Sequence, residues 1–239
     1  MIILMDLLSL FSKKVLVGHR GHPSKELENT LESVDSAIRA GADLVEVDVQ
    51  STRDGVLVLS HDESLERVYD VKINIRESLW DDIKGIKRNG YRLARLEEAL
   101  DFVKGRVGMF LEIKNPEDTQ AVLEAVKIKG ASSWVILISF HPEALQRVKG
   151  EIITGLVYSK PPGMIPEAKK LGCSLVLPKY TLATQKAIEF AHRLKLKVIA
   201  WTVNDIVKAR ELFERGVDGI ATDEIEKLKE ARGCVKKLD

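Results

Sequence analysis

Several short apolar runs in this chain carry residues that suit chemistry better than packing. Val15-Leu16-Val17 leads into His19, Arg20 and Gly21. Leu44-Val45-Glu46-Val47-Asp48-Val49 holds two carboxylates, and Phe110-Leu111-Glu112-Ile113-Lys114 holds a carboxylate and an amine. A further run over 56–60 ends at His61. Short apolar runs of this kind read as buried strands. Strand side chains alternate between faces, so Glu46 and Asp48 share a side, as do Glu112 and Lys114. An isolated buried carboxylate is very costly, so these groups must be paired or bind a metal. Taken singly, a strand-end histidine is most simply structural, and the carboxylates could be ion-paired with Arg20 and Lys114. Taken together, the residues read differently. Glu46, Asp48 and Glu112 make a hard oxygen site suited to Mg²⁺, Ca²⁺ or Mn²⁺. Zinc fits less well, because neither a cysteine nor a close histidine pair stands at ligand spacing. A divalent cation with Arg20 and Lys114 clamps anionic oxygen, above all phosphate. His19 and His61, titrating near neutrality, can share general acid and base duty. The set reads as metal-assisted phosphodiester cleavage.

Such residues need a scaffold that brings strand ends together. Strand patterns recur at 15–18, 44–49, 108–113, 135–139, 152–157, 174–177, 197–202 and 218–221, with helical patterns in most gaps. The first helical pattern, from Asn29 to Arg39, is amphipathic and is followed by Gly41 as a stop. Eight strands separated by helices predict an α/β fold, a closed (β/α)8 TIM barrel, whose chemistry sits at the carboxyl ends of its strands. One gap breaks the alternation. The stretch between Val49 and Val56 is too short for a parallel crossover, and Asp54-Gly55 is a hairpin signal. If those two residues form the loop, Asp48 faces His61, and the hairpin rises over the rim. Residues 62–95 then form an irregular insertion. No low-complexity stretch or linker divides the chain, so 1–239 reads as one domain with an apolar extension at 1–14.

His19-Arg20-Gly21, Glu28-Asn29-Thr30, Glu46-Val47-Asp48-Val49, Asp54-Gly55 and His61-Asp62 resemble the motifs of the glycerophosphodiester phosphodiesterase family. Leu96-Glu97-Glu98-Ala99-Leu100, Leu111-Glu112-Ile113-Lys114, Ser139-Phe140, Trp201-Thr202-Val203-Asn204 and Asp218 through Asp223 continue the resemblance in order. It implies hydrolysis of glycerophosphodiesters to glycerol 3-phosphate and an alcohol, with a divalent cation. Carried over by motif position, His19 and His61 are the acid/base pair, Glu46, Asp48 and Glu112 the metal ligands, and Arg20 and Lys114 the phosphate holders. Leu27 and the stretch Arg92–Arg95 depart from the family pattern at the rim, where they bear on substrate preference. Phe140 and Trp201, at strand ends, are expected to wall the glycerol or alcohol moiety. Glu28 and Asn29 are expected to hydrogen-bond around Arg20, with Asn29 also capping the first helix. His22 reads as a solvated loop residue. The alternatives are a lysophospholipase D-like cleavage of lysophospholipids and, from another class, a non-catalytic phosphate-ligand binding module.

Composition narrows the partners. Lys+Arg is 37 against Asp+Glu 36, so no global field favours nucleic acid. Cys173 and Cys234 make no disulfide framework, which points to a reducing cytoplasm. Residues 1–11 are apolar, too few to span a bilayer, and lack the flanks of a signal peptide. They are expected to close the barrel floor or to pack on a partner chain in a homo-oligomer. The competing expectation is a shallow membrane contact, with Lys13 and Lys14 near headgroups.

Overall fold

A computed structural model describes residues 7–160 and 163–233. Along the chain the strands are β1 (Val15–Gly18), β2 (Leu44–Ser51), β3 (Leu57–Leu59), β4 (Lys87–Arg88), β5 (Tyr91–Arg92), β6 (Gly108–Ile113), β7 (Val135–Ser139), β8 (Thr154–Tyr158), β9 (Leu175–Pro178), β10 (Lys197–Ala200) and β11 (Gly219–Thr222). The α-helices are α1 (Leu31–Ala40), α2 (Glu66–Tyr69), α3 (Trp80–Ile83), α4 (Leu96–Val103), α5 (Thr119–Ile128), α6 (Pro142–Arg147), α7 (Met164–Leu171), α8 (Gln185–Arg193), α9 (Ile206–Arg215) and α10 (Ile225–Leu228). β1 lies parallel to both β2 and β11, which closes β1, β2 and β6 to β11 into a ring of eight parallel strands. The expected barrel is therefore formed.

The ring has two apolar layers. Outward-facing strand residues such as Val45, Val47, Leu111 and Val176 pack under the amphipathic faces of the helices. Inward-facing Val15, Val17, Leu44, Phe110, Ile136, Leu175 and Ile199 fill the interior. Leu7 and Phe11 join this inner cluster from a 3-10 turn over Leu7–Ser12. Leu7 lies against Gly108 at the start of β6, and the Phe11 carbonyl accepts from Lys197 at the start of β10. This part of the N-terminal segment thus closes the floor, as expected; residues 1–6 lie outside the described residues.

Three local expectations are corrected. Val49 pairs with Leu59 and Ser51 with Leu57, so Asp48 stands opposite Ser60 and not His61. The reason is loop length. Thr52 N–H donates to the Val56 carbonyl, leaving Arg53, Asp54 and Gly55 as a three-residue loop, with Gly55 in the left-handed region at φ 83°. Residues 62–95 are not irregular. They hold α2, α3 and the β4–β5 hairpin around their own core of Leu65, Val68, Tyr69, Ile75, Ile83 and Leu93. Finally, α1 is capped by Thr30, whose side chain accepts from Ser33 N–H. Asn29 sits one residue earlier, at φ 57°, and is free for other work.

Candidate functional site

The interior alternation that fills the barrel floor with apolar groups turns polar near the strands' carboxyl ends. In β2, Leu44 is followed on the same face by Glu46 and Asp48; in β6, Phe110 is followed by Glu112. The parallel register sets Asp48 directly beside Glu112. Exposure is 4% for Glu46, 1% for Asp48 and 9% for Glu112, so solvent does little to offset their charges. Each offers an oxygen within 4.8 Å of the others.

Their surroundings differ. Asp48 has the most cationic company. Its Oδ2 accepts from Asn29 Nδ2 at 2.9 Å, Lys114 Nζ lies 3.4 Å from Oδ1, and Arg20 Nε lies 3.3 Å from Oδ2. Burial pushes the Asp48 carboxyl up, but Lys114, Arg20 and His61 outweigh it and hold it below the usual range. Glu112 accepts from Lys114 Nζ at 2.6 Å, yet burial and the Asp48 charge leave its carboxyl raised. Glu46 is the least satisfied. One oxygen accepts from the Arg20 backbone N–H at 2.7 Å, while Oε1 is buried with no hydrogen-bond partner. Burial, then the Asp48 charge, push its carboxyl up to about 8. A buried, orphaned carboxylate oxygen facing two further carboxylates is what a divalent cation would complete. The residues present fit such an ion.

Both histidines flank this cluster, and each has a carboxylate behind it. Pairing of Gly18 with Thr222 across the barrel seam brings His19 next to Asp223. His19 Nδ1 bonds Asp223 Oδ1 at 2.8 Å, and Asn204 holds Asp223 through its side-chain amide and the Asp223 backbone N–H. Burial draws His19 down, but the bond to Asp223 and the charge of Glu46 prevail, and its pKa is raised. His61 Nδ1 bonds Asp62 Oδ1 at 2.6 Å. There burial prevails over the charge of Asp48, and the pKa is lowered. With each Nδ1 assigned to its carboxylate, Nε2 of each ring is the atom left for proton exchange.

Gly21 shapes the turn that carries His19 and Arg20. It stands at φ 87°, and a Cβ there would meet Ser33 Oγ at 2.4 Å. Arg20, itself at φ 55°, donates from Nη1 to Glu28 at 2.9 Å. Glu28 and Asn29 therefore both border Arg20 as expected, Asn29 through its backbone N–H to the Arg20 carbonyl at 3.1 Å, but the Asn29 side-chain amide bonds Asp48 through both its groups instead of capping α1. His22 is also corrected. It is 1% exposed, its backbone N–H donates to Ser33, and its ring lies 3.0 Å from Ser36, so it fastens the loop to α1. Phe140 and Trp201 meet edge to face, with ring centroids 5.4 Å apart, at the top of the inner apolar cluster. A cavity of about 330 Å³ opens along His19, Arg20, Ser24, Glu28, Asn204 and Asp223.

Asp223 and Asp62 were missed as functional candidates, although each had a signal. Barrel closure makes the first and last strands neighbours, so a carboxylate just past β11 must approach His19. Asp62 directly follows His61.

The chain has extensive likeness to known proteins. Residues 19–227 match the Glycerophosphoryl diester phosphodiesterase family. A glycerophosphodiester phosphodiesterase of Caldanaerobacter subterraneus subsp. tengcongensis is 28% identical over 236 residues, covering 90% of this chain and 96% of the relative. A phosphodiesterase of Oleispira antarctica, solved in complex with the product sn-glycerol-3-phosphate, aligns with a TM-score of 0.85 at 25% identity, covering 93% of this chain and 98% of that one. A lysophospholipase D of Rattus norvegicus is 26% identical over 269 residues, covering 90% of this chain and 84% of the relative.

Proposed function

The chain belongs to the glycerophosphoryl diester phosphodiesterase family, and from that premise we propose that it hydrolyses glycerophosphodiesters to sn-glycerol 3-phosphate and an alcohol at the barrel mouth. The observation that carries this reading is the orphaned Glu46 Oε1, held with Asp48 and Glu112 between two carboxylate-backed histidines. Glu46, Asp48 and Glu112 would hold Mg²⁺, Ca²⁺ or Mn²⁺, which when bound supplies Lewis-acid polarisation of a phosphoryl oxygen. Arg20 and Lys114 hold the phosphate's anionic oxygens and neutralise charge that builds there. His61, with its lowered pKa, takes the proton of the attacking hydroxyl at Nε2. That hydroxyl belongs to water or to the glycerol 2-position; in the second case the alcohol leaves behind a cyclic phosphate, which water then opens to sn-glycerol 3-phosphate. His19, with its raised pKa, gives its Nε2 proton to the departing alkoxide. Asp62 and Asp223 keep the rings in the required orientation.

Phe140 and Trp201 wall the organic part of the substrate, and the polar cavity beside His19 favours small, water-soluble diesters. The likeness to a lysophospholipase D raises a second reading, cleavage of lysophospholipids, which would need an apolar channel at the mouth. An apolar groove of about 560 Å³, lined by Met164, Leu182 and Phe190, runs between α7 and α8. It lies in the helical layer, where Tyr158 packs outward, and not among the inward-facing residues of the mouth.

The test is product release from glycerophosphocholine, glycerophosphoethanolamine and a lysophospholipid, with Mg²⁺, Ca²⁺ or Mn²⁺ supplied in turn. Release of sn-glycerol 3-phosphate from the soluble diesters is expected. Turnover of the lysophospholipid alone would favour the second reading, and binding of substrate without turnover would make the chain a binding module.

A further inference from the structure

Arg67 belongs to α2, in the insertion between the rim hairpin and α4, yet its guanidinium reaches back to the mouth. Nε donates to Asp62 Oδ2 at 2.5 Å. Nη1 and Nη2 donate to Glu28 Oε2 and Oε1 at 2.8 and 2.7 Å, a two-toothed grip. Each carboxylate also holds a residue of the mouth. Asp62 Oδ1 holds the His61 ring, and Glu28 Oε1 accepts from Arg20. One planar group thus links the residue behind a proton-transfer histidine to the residue behind a phosphate-holding arginine.

The linkage is built firmly. Leu65, Val68 and Tyr69, around Arg67 in the sequence, are buried in the insertion's own core. Arg88 donates to the Val68 carbonyl at 2.9 Å and so ties the β4–β5 hairpin to α2. Arg67 itself is half-exposed, with 49% of its side chain accessible, so its removal leaves this core in place. Lysine cannot replace it. A guanidinium presents a fixed fork that serves two carboxylates at once, whereas an ammonium is a single point charge.

Resting on the hydrolytic reading above, we propose that Arg67 is a positioning residue that sets His61 through Asp62 and Arg20 through Glu28, which gives the insertion a part in the reaction. Outer-shell groups of this kind are worth roughly 10–100-fold when removed. Arg67→Ala should therefore lower kcat by about that factor and weaken binding of inorganic phosphate, with little change in Tm. Arg67→Lys should fall between the two. Asp62→Asn should cost much less in the Arg67→Ala background than in the wild type, because both act on His61 through one path. The NMR signal of the proton at His61 Nδ1 should shift in Arg67→Ala, a readout that needs no turnover. Wild-type kcat and phosphate affinity in Arg67→Ala, an unmoved His61 signal, or losses that multiply independently with Asp62→Asn would overturn the proposal. If the wild type hydrolyses no glycerophosphodiester, the reaction assignment fails, while the phosphate and NMR measurements still decide the role of Arg67.

Discussion

Carboxylates stand at both ends of this barrel, and their company differs. At the floor, Asp43 precedes β2 and Asp218 precedes β11. Asp43 accepts from Leu16 N–H at 2.9 Å and pairs with Lys13 at 2.8 Å. Asp218 accepts from Val198 N–H, Lys197 and His192, each at 2.8 Å. These groups tie strand starts together, beneath an interior filled by Leu7, Phe11, Val15, Leu44 and Phe110. At the mouth, β2 and β6 bury Glu46, Asp48 and Glu112 together, with Glu46 Oε1 unpartnered. A carboxylate whose oxygens are all engaged by backbone and cations serves the fold. One kept buried and incomplete is held for something that is not protein.

The contrast is broken most severely if the mouth proves structural. His19→Ala and His61→Ala should each lower kcat by roughly 10²–10⁴-fold with Tm nearly unchanged. Loss of folding in both, or retention of near wild-type turnover in either, would move that histidine from the chemistry to the scaffold. The floor should respond the opposite way. Phe11→Ala leaves a cavity in the inner cluster and should cost about 3–5 kcal/mol of stability in denaturant titrations, while the protein that stays folded keeps its kcat. An activity loss with intact stability would mean that floor and mouth are coupled.

The two ends should also differ in their response to pH and cations. In the metal-free protein, Glu46 is raised from 4.5 to about 8. The folded state therefore binds more protons than the unfolded one in that window, and its stability falls as pH rises through it. A cation needs the ionised carboxylate, so it binds better as the proton leaves. Differential scanning fluorimetry after chelation should show Tm falling from about pH 5 to about pH 8, with added cation raising Tm more at the higher pH. An equal rise at both would separate Glu46 from the ion. The smallest effect belongs to the floor's surface. Lys13 is largely exposed beside Asp43, and Lys13→Ala should cost at most about 1 kcal/mol and leave kcat alone.

Much of this contrast is legible in the residues themselves. Two-residue periodicity placed Glu46 with Asp48 and Glu112 with Lys114, because a half-apolar strand in a closed barrel can turn its charges only toward the mouth. Loop chemistry was legible in kind and not in length: Asp54-Gly55 marks the hairpin, but one more loop residue shifts the register and sets Ser60 against Asp48. Long-range partners were the hardest. Nothing local to His19 points to Asp223, which becomes its neighbour only when the seam between β1 and β11 closes. His22 looks solvated because loop residues usually are, and only the approach of α1 buries it against Ser33 and Ser36. Arg67 lay in a stretch read as irregular, where its fork had no visible target until the insertion folded back on Glu28.

The central claim is that the incomplete carboxylate cluster at the mouth holds a cation required for hydrolysis of glycerophosphodiesters. Its most direct test is the rate of sn-glycerol 3-phosphate formation from glycerophosphoethanolamine after exhaustive chelation, followed as a divalent cation is titrated back. The account predicts no turnover in the stripped protein and full recovery as one cation binds per chain, with Glu46→Gln needing a higher cation concentration for the same rate. Undiminished turnover in the presence of chelator would contradict it.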